Sequence, residues 1–541
     1  MTAKGSKGWL ALVALATAQF VMVLDQSVMN VSISALTKDF NTTVTTIQGV
    51  ITLYCLVMAM LMLTGAKIGD IIGRRRAFVI GLCIYGCGSA LTAASQTVGQ
   101  LALGWSVLEG IGAALVLPAL AALIAGNFEG ARRKIAYAVI GGVAGAGIAV
   151  GPILGGWATT NVTWRIVFVG EVVLVGFILV MTPKVNDALR PGPAPSLDYV
   201  GSVLSAAGLG VFVYGVLQSS TWGWLKPKNA PFTIFGFSPT VYVLSFGVFL
   251  VWSFVAWQRH RETRGQDPLV HLSLAAIPPV RAGLIGMFSQ NLLLMGVFFV
   301  VPLYLQLVLG LDALQTGIKM LPVSVAMLLT SAVGSRLSNR FAVRTIVRAG
   351  LSVTFVGTVI LLATIRPTLS NVGFAVGMAV LGVGMGLIMS QLGNVVQSSV
   401  EESGRSEAGG LQYTGQQLGS SLGVALIGAI VLMGLTGAFV SMVQNDPRIS
   451  TEIAAQVGVA AGSNTNFVSS SEISTAATEA GLDAQTTAAL VEDYEAAQLR
   501  SLKAGLLAAA LLALGSLAFT RELPHRRPDR RAPREPDVVA A

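Results

Sequence analysis

Gly65-Ala-Lys-Ile-Gly69-Asp70-Ile-Ile-Gly73-Arg74-Arg75-Arg76 is the stretch on which the reading of this chain turns. An apolar segment from Thr46 to Thr64 runs into it, and another, Ala77 to Ala94, leaves it. A run of ~18 or more apolar residues is long enough to cross a bilayer. The stretch therefore reads as a tight turn between two membrane helices. It holds four cationic side chains, three glycines and one acid. The cations place it on the cytoplasmic face, because basic residues are retained on that side. Gly65 and Gly69 have no side chains, so a neighbouring helix can approach closely there. Asp70 can accept hydrogen bonds from Arg74, one helical turn on.

Composition supports a membrane protein throughout. The 541 residues are 53% hydrophobic and only 11% charged, with 61 glycines and a mean hydropathy of +0.72. Soluble domains carry about 25% charged residues. The net charge of +9 could suggest nucleic acid. The basic residues sit mostly in short turns between apolar spans, where membrane orientation accounts for them, so no nucleic-acid partner is expected. Cys55, Cys83 and Cys87 all fall inside spans. No disulfide is expected, and two thiols one turn apart without a histidine make a poor metal site.

Lys4 and Lys7 precede an apolar run from Trp9 to Leu24 that resembles a secretory leader. No small-residue cleavage site follows and the apolar character resumes after Asp25, so the run reads as a retained first helix. Further spans are expected near 46–66, 77–95, 100–125, 135–158, 164–182, 199–218, 239–257, 282–308, 317–335, 343–364, 372–395, 410–437 and 502–519. That makes fourteen. With both termini in the cytoplasm, most of the 35 lysines and arginines fall on the inner side, and an odd number of spans would scramble that bias.

The turn at 65–76 resembles the signature loop between helices 2 and 3 of the major facilitator superfamily. Gly65, Asp70, Gly73, Arg74 and Arg75 stand in that pattern's places, and the resemblance implies a cytoplasmic gate. Gly334-Ser-Arg336-Leu-Ser-Asn339-Arg340-Phe-Ala-Val-Arg344 echoes the loop at the same spacing, with Asn339 for Asp70 and Ala342 for Gly73. Internal repeats of this kind mark transporters built from two halves with a site between them. The expected fold is all-α and polytopic: a major facilitator fold of two six-helix halves plus two inserted helices. The expected domains are a first half over residues 1–182 and a linker with two extra helices over 183–281. A second half follows over 282–520, with an external loop at 440–500 and a basic disordered tail at 521–541. This resembles the fourteen-helix drug:proton antiporter branch.

An ionisable residue at membrane depth is expensive and is a functional hypothesis by default. Three acids qualify. Asp25 lies in Leu24-Asp25-Gln26-Ser27-Val28-Met29-Asn30, which resembles the family's helix 1 motif, although Ser34 replaces its proline. Burial disfavours the charged form of a carboxyl group, which lets Asp25 alternate between protonated and ionised states. Glu109 lies in Trp105-Ser106-Val-Leu-Glu109-Gly110-Ile-Gly112. There the family's helix 4 pattern carries a buried arginine linked to proton coupling. Ser106 takes the arginine's place, so Glu109 is open to three roles: proton carrier, ligand for a cationic substrate, or structural acid. Glu171 lies in the sixth span, where hydration from the outer interface is an alternative to function.

The fifth span carries Gly141-Gly142-x4-Gly147-x3-Gly151-Pro152-x2-Gly155-Gly156. The string resembles the superfamily's antiporter signature. Gly147, Gly151 and Gly155 make a smooth face for close packing, and Pro152 bends the helix. Gln26, Asn30, Gln290, Asn291, Tyr304, Gln391, Asn394, Gln412, Tyr413 and Gln416 are the candidates for a central cavity. Neutral polar groups with methionines suit an adaptable pocket.

The sequence thus leads to a monomeric, proton-coupled exporter of lipophilic, cationic drugs in a bacterial cell membrane. Its partners are a small-molecule substrate, protons and membrane lipid, with no cofactor and no metal. An exporter or symporter of a defined metabolite is the alternative. An enzyme is not expected, because only three histidines occur, His260, His271 and His525, all outside the expected spans. There is no Gly-x4-Gly-Lys-(Ser/Thr) for a nucleotide.

Overall fold

The protein is described as a computed structural model covering residues 3–128, 130–187, 195–228, 230–338, 340–401, 404–463 and 467–525. Among the described residues, fourteen helices are long and apolar enough to span a bilayer. They are α1 Trp9–Val31, α2 Val44–Ile72, α3 Arg74–Ala94, α4 Val98–Ile124, α5 Val139–Asn161, α6 Arg165–Lys184 and α7 Tyr199–Trp222. The rest are α8 Pro239–Thr263, α9 Pro278–Val308, α10 Ala313–Gly334, α11 Val343–Thr364, α12 Asn371–Ser398, α13 Glu407–Asn445 and α14 Ala484–Glu522. The end bearing Gly73 and Arg340 is the basic end; the opposite end bears Asn161 and the 446–483 segment and is the loop end.

Helices α1–α6 form one half and α9–α14 the other. The halves meet where α2 runs along α13 and α5 along α10. At the loop end the seam is tight. The Leu314 N–H donates to Thr160 Oγ1 at 3.1 Å, and Gln306 Nε2 donates to the Val31 carbonyl at 2.9 Å. Gly156 lies against the Ala313 backbone, and Gly317 against the carbonyl of Pro152. The inserted pair α7–α8 packs beside α2 and α13. Its α8 leaves Phe246, Val248, Phe249 and Trp252 exposed, as a lipid-facing helix does.

Two readings of local structure need correction. The stretch from Gly65 to Ile72 is the last part of α2, not a turn. The reversal is the single residue Gly73, at φ +99°, a conformation glycine adopts without the Cβ penalty. The 484–499 segment, inside the loop expected at 440–500, is the first part of α14. Asp483 accepts from the Thr486 N–H at 2.9 Å and caps α14 itself, which runs on without a break through Gly515. Between α13 and α14 the loop carries two short helices, Thr451–Ser463 and Ser470–Glu479. The expected disordered tail falls largely in 526–541, and Asn339 also lies outside the described residues.

Candidate functional site

The three acids come together. Asp25 on α1, Glu109 on α4 and Glu171 on α6 each place one carboxyl oxygen within 4.8 Å of the others. Their exposures are 0%, 0% and 1%, which removes the outer-interface hydration considered for Glu171. Trp105 Nε1 donates to Asp25 Oδ1 at 2.7 Å. Tyr85 and Ser89, both on α3, donate to Glu171 Oε2 at 3.0 and 3.2 Å. Thr92 Oγ1 reaches Glu109 Oε1 at 3.3 Å but also the Gly88 carbonyl at 2.9 Å. A hydroxyl has one hydrogen, so Glu109 is the least supported of the three. Asp25 Oδ2, Glu109 Oε2 and Glu171 Oε1 have no partner, and neither does the buried Tyr54 hydroxyl. Among the described residues, no lysine or arginine pairs with any of the three acids.

The local backbone explains how α4 delivers two side chains to one place. Ala102–Glu109 is π-helical, a wider turn that recurs at functional sites. Trp105 stacks on Tyr54 of α2, with centroids 4.6 Å apart and planes 9° apart. Ser106, in the place of the family's arginine, donates to the Val50 carbonyl at 2.8 Å and fastens α4 to α2. Glu109 lies over Gly88, where an added Cβ would sit 2.7 Å from its Cγ. Trp105, Tyr54, Tyr85, Ser89 and Thr92 were not found from sequence. The polar stripe Tyr85-x3-Ser89-x2-Thr92 on an apolar helix was the available signal.

Helix α5 packs on the back of this cluster. Gly147 meets Val23, Gly151 meets Ser27 and Gly155 meets Val28, all on α1 around Asp25. Gly156 and Pro152 face α10 across the seam. Gly141 and Gly142 meet nothing within 4 Å, so the string's first two glycines do no packing.

At the basic end, Arg74 grips Asp70 through Nε at 3.2 Å and Nη2 at 3.0 Å. Gly65 lies directly against the Ala114 carbonyl of α4. Arg75 contributes its backbone: its N–H donates to Asp187 Oδ1 at 3.1 Å, so the chain leaving α6 caps α3.

The cavity candidates disperse. Gln26 and Gln417 meet across the seam at 3.3 Å. Asn30 and Asn291 bond back to their own helices. Gln290 reaches the Met385 carbonyl, Gln391 the Gly334 carbonyl and Tyr304 the Arg366 carbonyl, so these three bridge elements of the second half. Gln416 reaches Met287 Sδ at 3.7 Å, Gln412 accepts from Gln397, Tyr413 is half-buried and Asn394 is exposed.

With this geometry in place, comparison with known proteins defines the class. The family model of the Major Facilitator Superfamily matches residues 15–424, and the chain belongs to that family. It is 28% identical to the tetracenomycin C resistance and export protein of Streptomyces glaucescens, covering 100% of this chain and 96% of that one. It is 30% identical to a probable actinorhodin transporter of Streptomyces coelicolor over 83% of this chain and 77% of the relative. It is 27% identical to the multidrug efflux pump LfrA of Mycolicibacterium smegmatis over 95% of each. Among solved structures, a bacterial homologue of the human lysosomal transporter Spinster, inward-facing and unoccupied, shares the fold. Its TM-score is 0.61 at 14% identity, covering 96% of this chain and 98% of that one.

Proposed function

We propose that this protein exports drug-like small molecules from a bacterial cell across its cytoplasmic membrane, in exchange for protons. The export reading rests on relatives named for antibiotic or multidrug export that match nearly the full chain. The proton reading rests on one observation: three carboxyl groups share a buried site with no basic partner among the described residues. Such a cluster cannot hold three negative charges at low dielectric, so it keeps at least one proton and offers a place for protons to bind during transport. Asp25 is the central carrier, with Glu109 and Glu171 sharing the load.

The cluster lies inside the first half and is closed to a molecule of drug size. The cargo therefore sits elsewhere, at the seam where Gln26 meets Gln417. Proton binding reaches that seam through α1, which carries Asp25 inward and Gln26 toward α13, and through α5, whose glycines bear on α1 and α10. A lipophilic cation is the cargo we favour, because the 446–483 segment at the loop end carries Asp446, Glu452, Glu472, Glu479 and Asp483 against Arg448 alone. The first half is residues 1–182 and the second 282–520, with both termini cytoplasmic and the chain working as a monomer. One charge moved through the field supplies about 2.3 kcal/mol per 100 mV, enough for concentrative export.

Ethidium accumulation in expressing cells tests the reading. Wild type should keep ethidium low, and both a protonophore and Asp25→Asn should abolish that. Ethidium kept out equally well with the protonophore present would refute proton drive.

A further inference from the structure

We propose that the strap from Arg264 to His271, which leads out of the inserted helix pair, is a brace that holds the basic end of the seam closed. The proposal deepens the transport reading above and rests on it, by naming side chains that position the gate.

The strap is pinned by the inserted pair itself. Gln258, fully buried on α8, accepts from the Leu269 N–H at 2.8 Å and donates to Asp198 Oδ2 at 2.8 Å. Asp198 also accepts from Trp257 Nε1 at 3.0 Å and caps α7 through the Gly201 N–H at 2.9 Å. Arg261 Nε donates to the Asp267 carbonyl at 3.0 Å. The strap's geometry is thus set before it meets either half.

It then touches both. Lys67, in the signature stretch of α2, is only 5% exposed, and its Nζ donates to the Pro268 carbonyl at 2.9 Å. A buried ammonium normally finds a carboxylate; here its partner is the strap. Leu269 and Val270 are buried in one cluster with Leu63 of α2 and Leu411 of α13. His271 Nδ1 lies 2.8 Å from Glu407, in the first turn of α13. A narrow hollow between Lys67, Asp70, Val270 and Glu407 marks the junction. Gly410 of α13 approaches Ala66 of α2 beside it, so the two halves touch here at the basic end. Opening that end means parting α2 from α13, which pulls the strap from Lys67 or from Glu407.

The test is a distance measurement on the full chain in nanodiscs, with Cys55, Cys83 and Cys87 replaced and spin labels at Lys184→Cys and Arg340→Cys. Lys67→Met and His271→Ala should each enlarge the wide-distance population, by about two- to fivefold for the exposed His271–Glu407 pair. His271→Arg, which keeps a donor facing Glu407, should hold the narrow distance as the parent does. Distributions that match the parent's in both Lys67→Met and His271→Ala, or a His271→Arg protein as wide as His271→Ala, overturn the brace. The distances are read without cargo, so a failure of the export assay leaves this result standing on its own. Thermal unfolding of each variant separates gate opening from loss of fold.

Discussion

The two halves repeat one framework and fill it differently. In the first, α3 begins after Gly73, and the chain leaving α6 caps it through Asp187 and the Arg75 N–H. In the second, α11 begins after Ala342, and the chain leaving α14 caps it through the Pro524 carbonyl and the Arg344 N–H at 3.2 Å. The glycine contacts repeat as well: Gly81 lies on Gly112 between α3 and α4, and Gly350 on Gly384 between α11 and α12. Inside the framework the chemistry parts. The first half holds Asp25, Glu109 and Glu171; the second holds Met378, Met385 and Gln290. Among the described residues of the two halves, the buried acids all lie in the first, and the second places apolar and neutral polar groups at depth.

The largest effect that tests this division is on transport. Asp25→Asn should reduce proton-driven efflux to background while leaving folding and expression intact. Glu109→Gln should follow closely, because so little supports that group. Glu171→Gln should lose least, because the amide can still accept from Tyr85 and Ser89. In the second half, Gln290→Met should leave coupling in place. Equal losses from Gln290→Met and Asp25→Asn would erase the distinction.

Packing comes next. Gly151→Leu forces a side chain into Ser27 on α1 and should cost about 1–3 kcal/mol in thermal unfolding, as overpacking does. Gly141→Leu meets open space and should be nearly silent.

The two turns give a smaller contrast. Gly73→Ala places a Cβ at φ +99° and 2.9 Å from Asp187, a loss of about 1 kcal/mol or more. Ala342→Gly, in an extended conformation that caps α11, should change stability by only a few tenths of a kcal/mol.

The smallest effect concerns pH. Burial pushes Asp198 up, but the Gly201 N–H, Trp257, Gln258 and the Arg261 guanidinium outweigh it and hold the carboxyl below its usual range. A depressed carboxylate stabilises the fold above its unfolded value, near about 3.9, and loses that contribution as pH falls through the folded value. Stability of the wild type relative to Asp198→Asn should therefore be constant from neutral pH down to about 4 and converge below it.

The fourteen spans and the repeat were legible because a bilayer imposes length and polarity on every segment. The acids stood out because each interrupts an apolar run. Their convergence did not, because Asp25 and Glu171 are 146 positions apart and sit on helices whose rotation only packing fixes. The π-helical turn at Ala102–Glu109 leaves no pattern in residue types. Asp187 was read as part of a linker, and nothing in its neighbours signals that it would cap α3. The glutamines of the second half were legible as polar residues in spans, but a cavity-lining glutamine and a helix-bridging one look alike in sequence.

The most direct measurement is ethidium transport in proteoliposomes with an imposed pH gradient, comparing wild type with Asp25→Asn. Wild type should move ethidium against its gradient only while protons run the other way, and the variant should not respond to the gradient. Ethidium movement by Asp25→Asn that still follows the pH gradient would contradict proton coupling through Asp25.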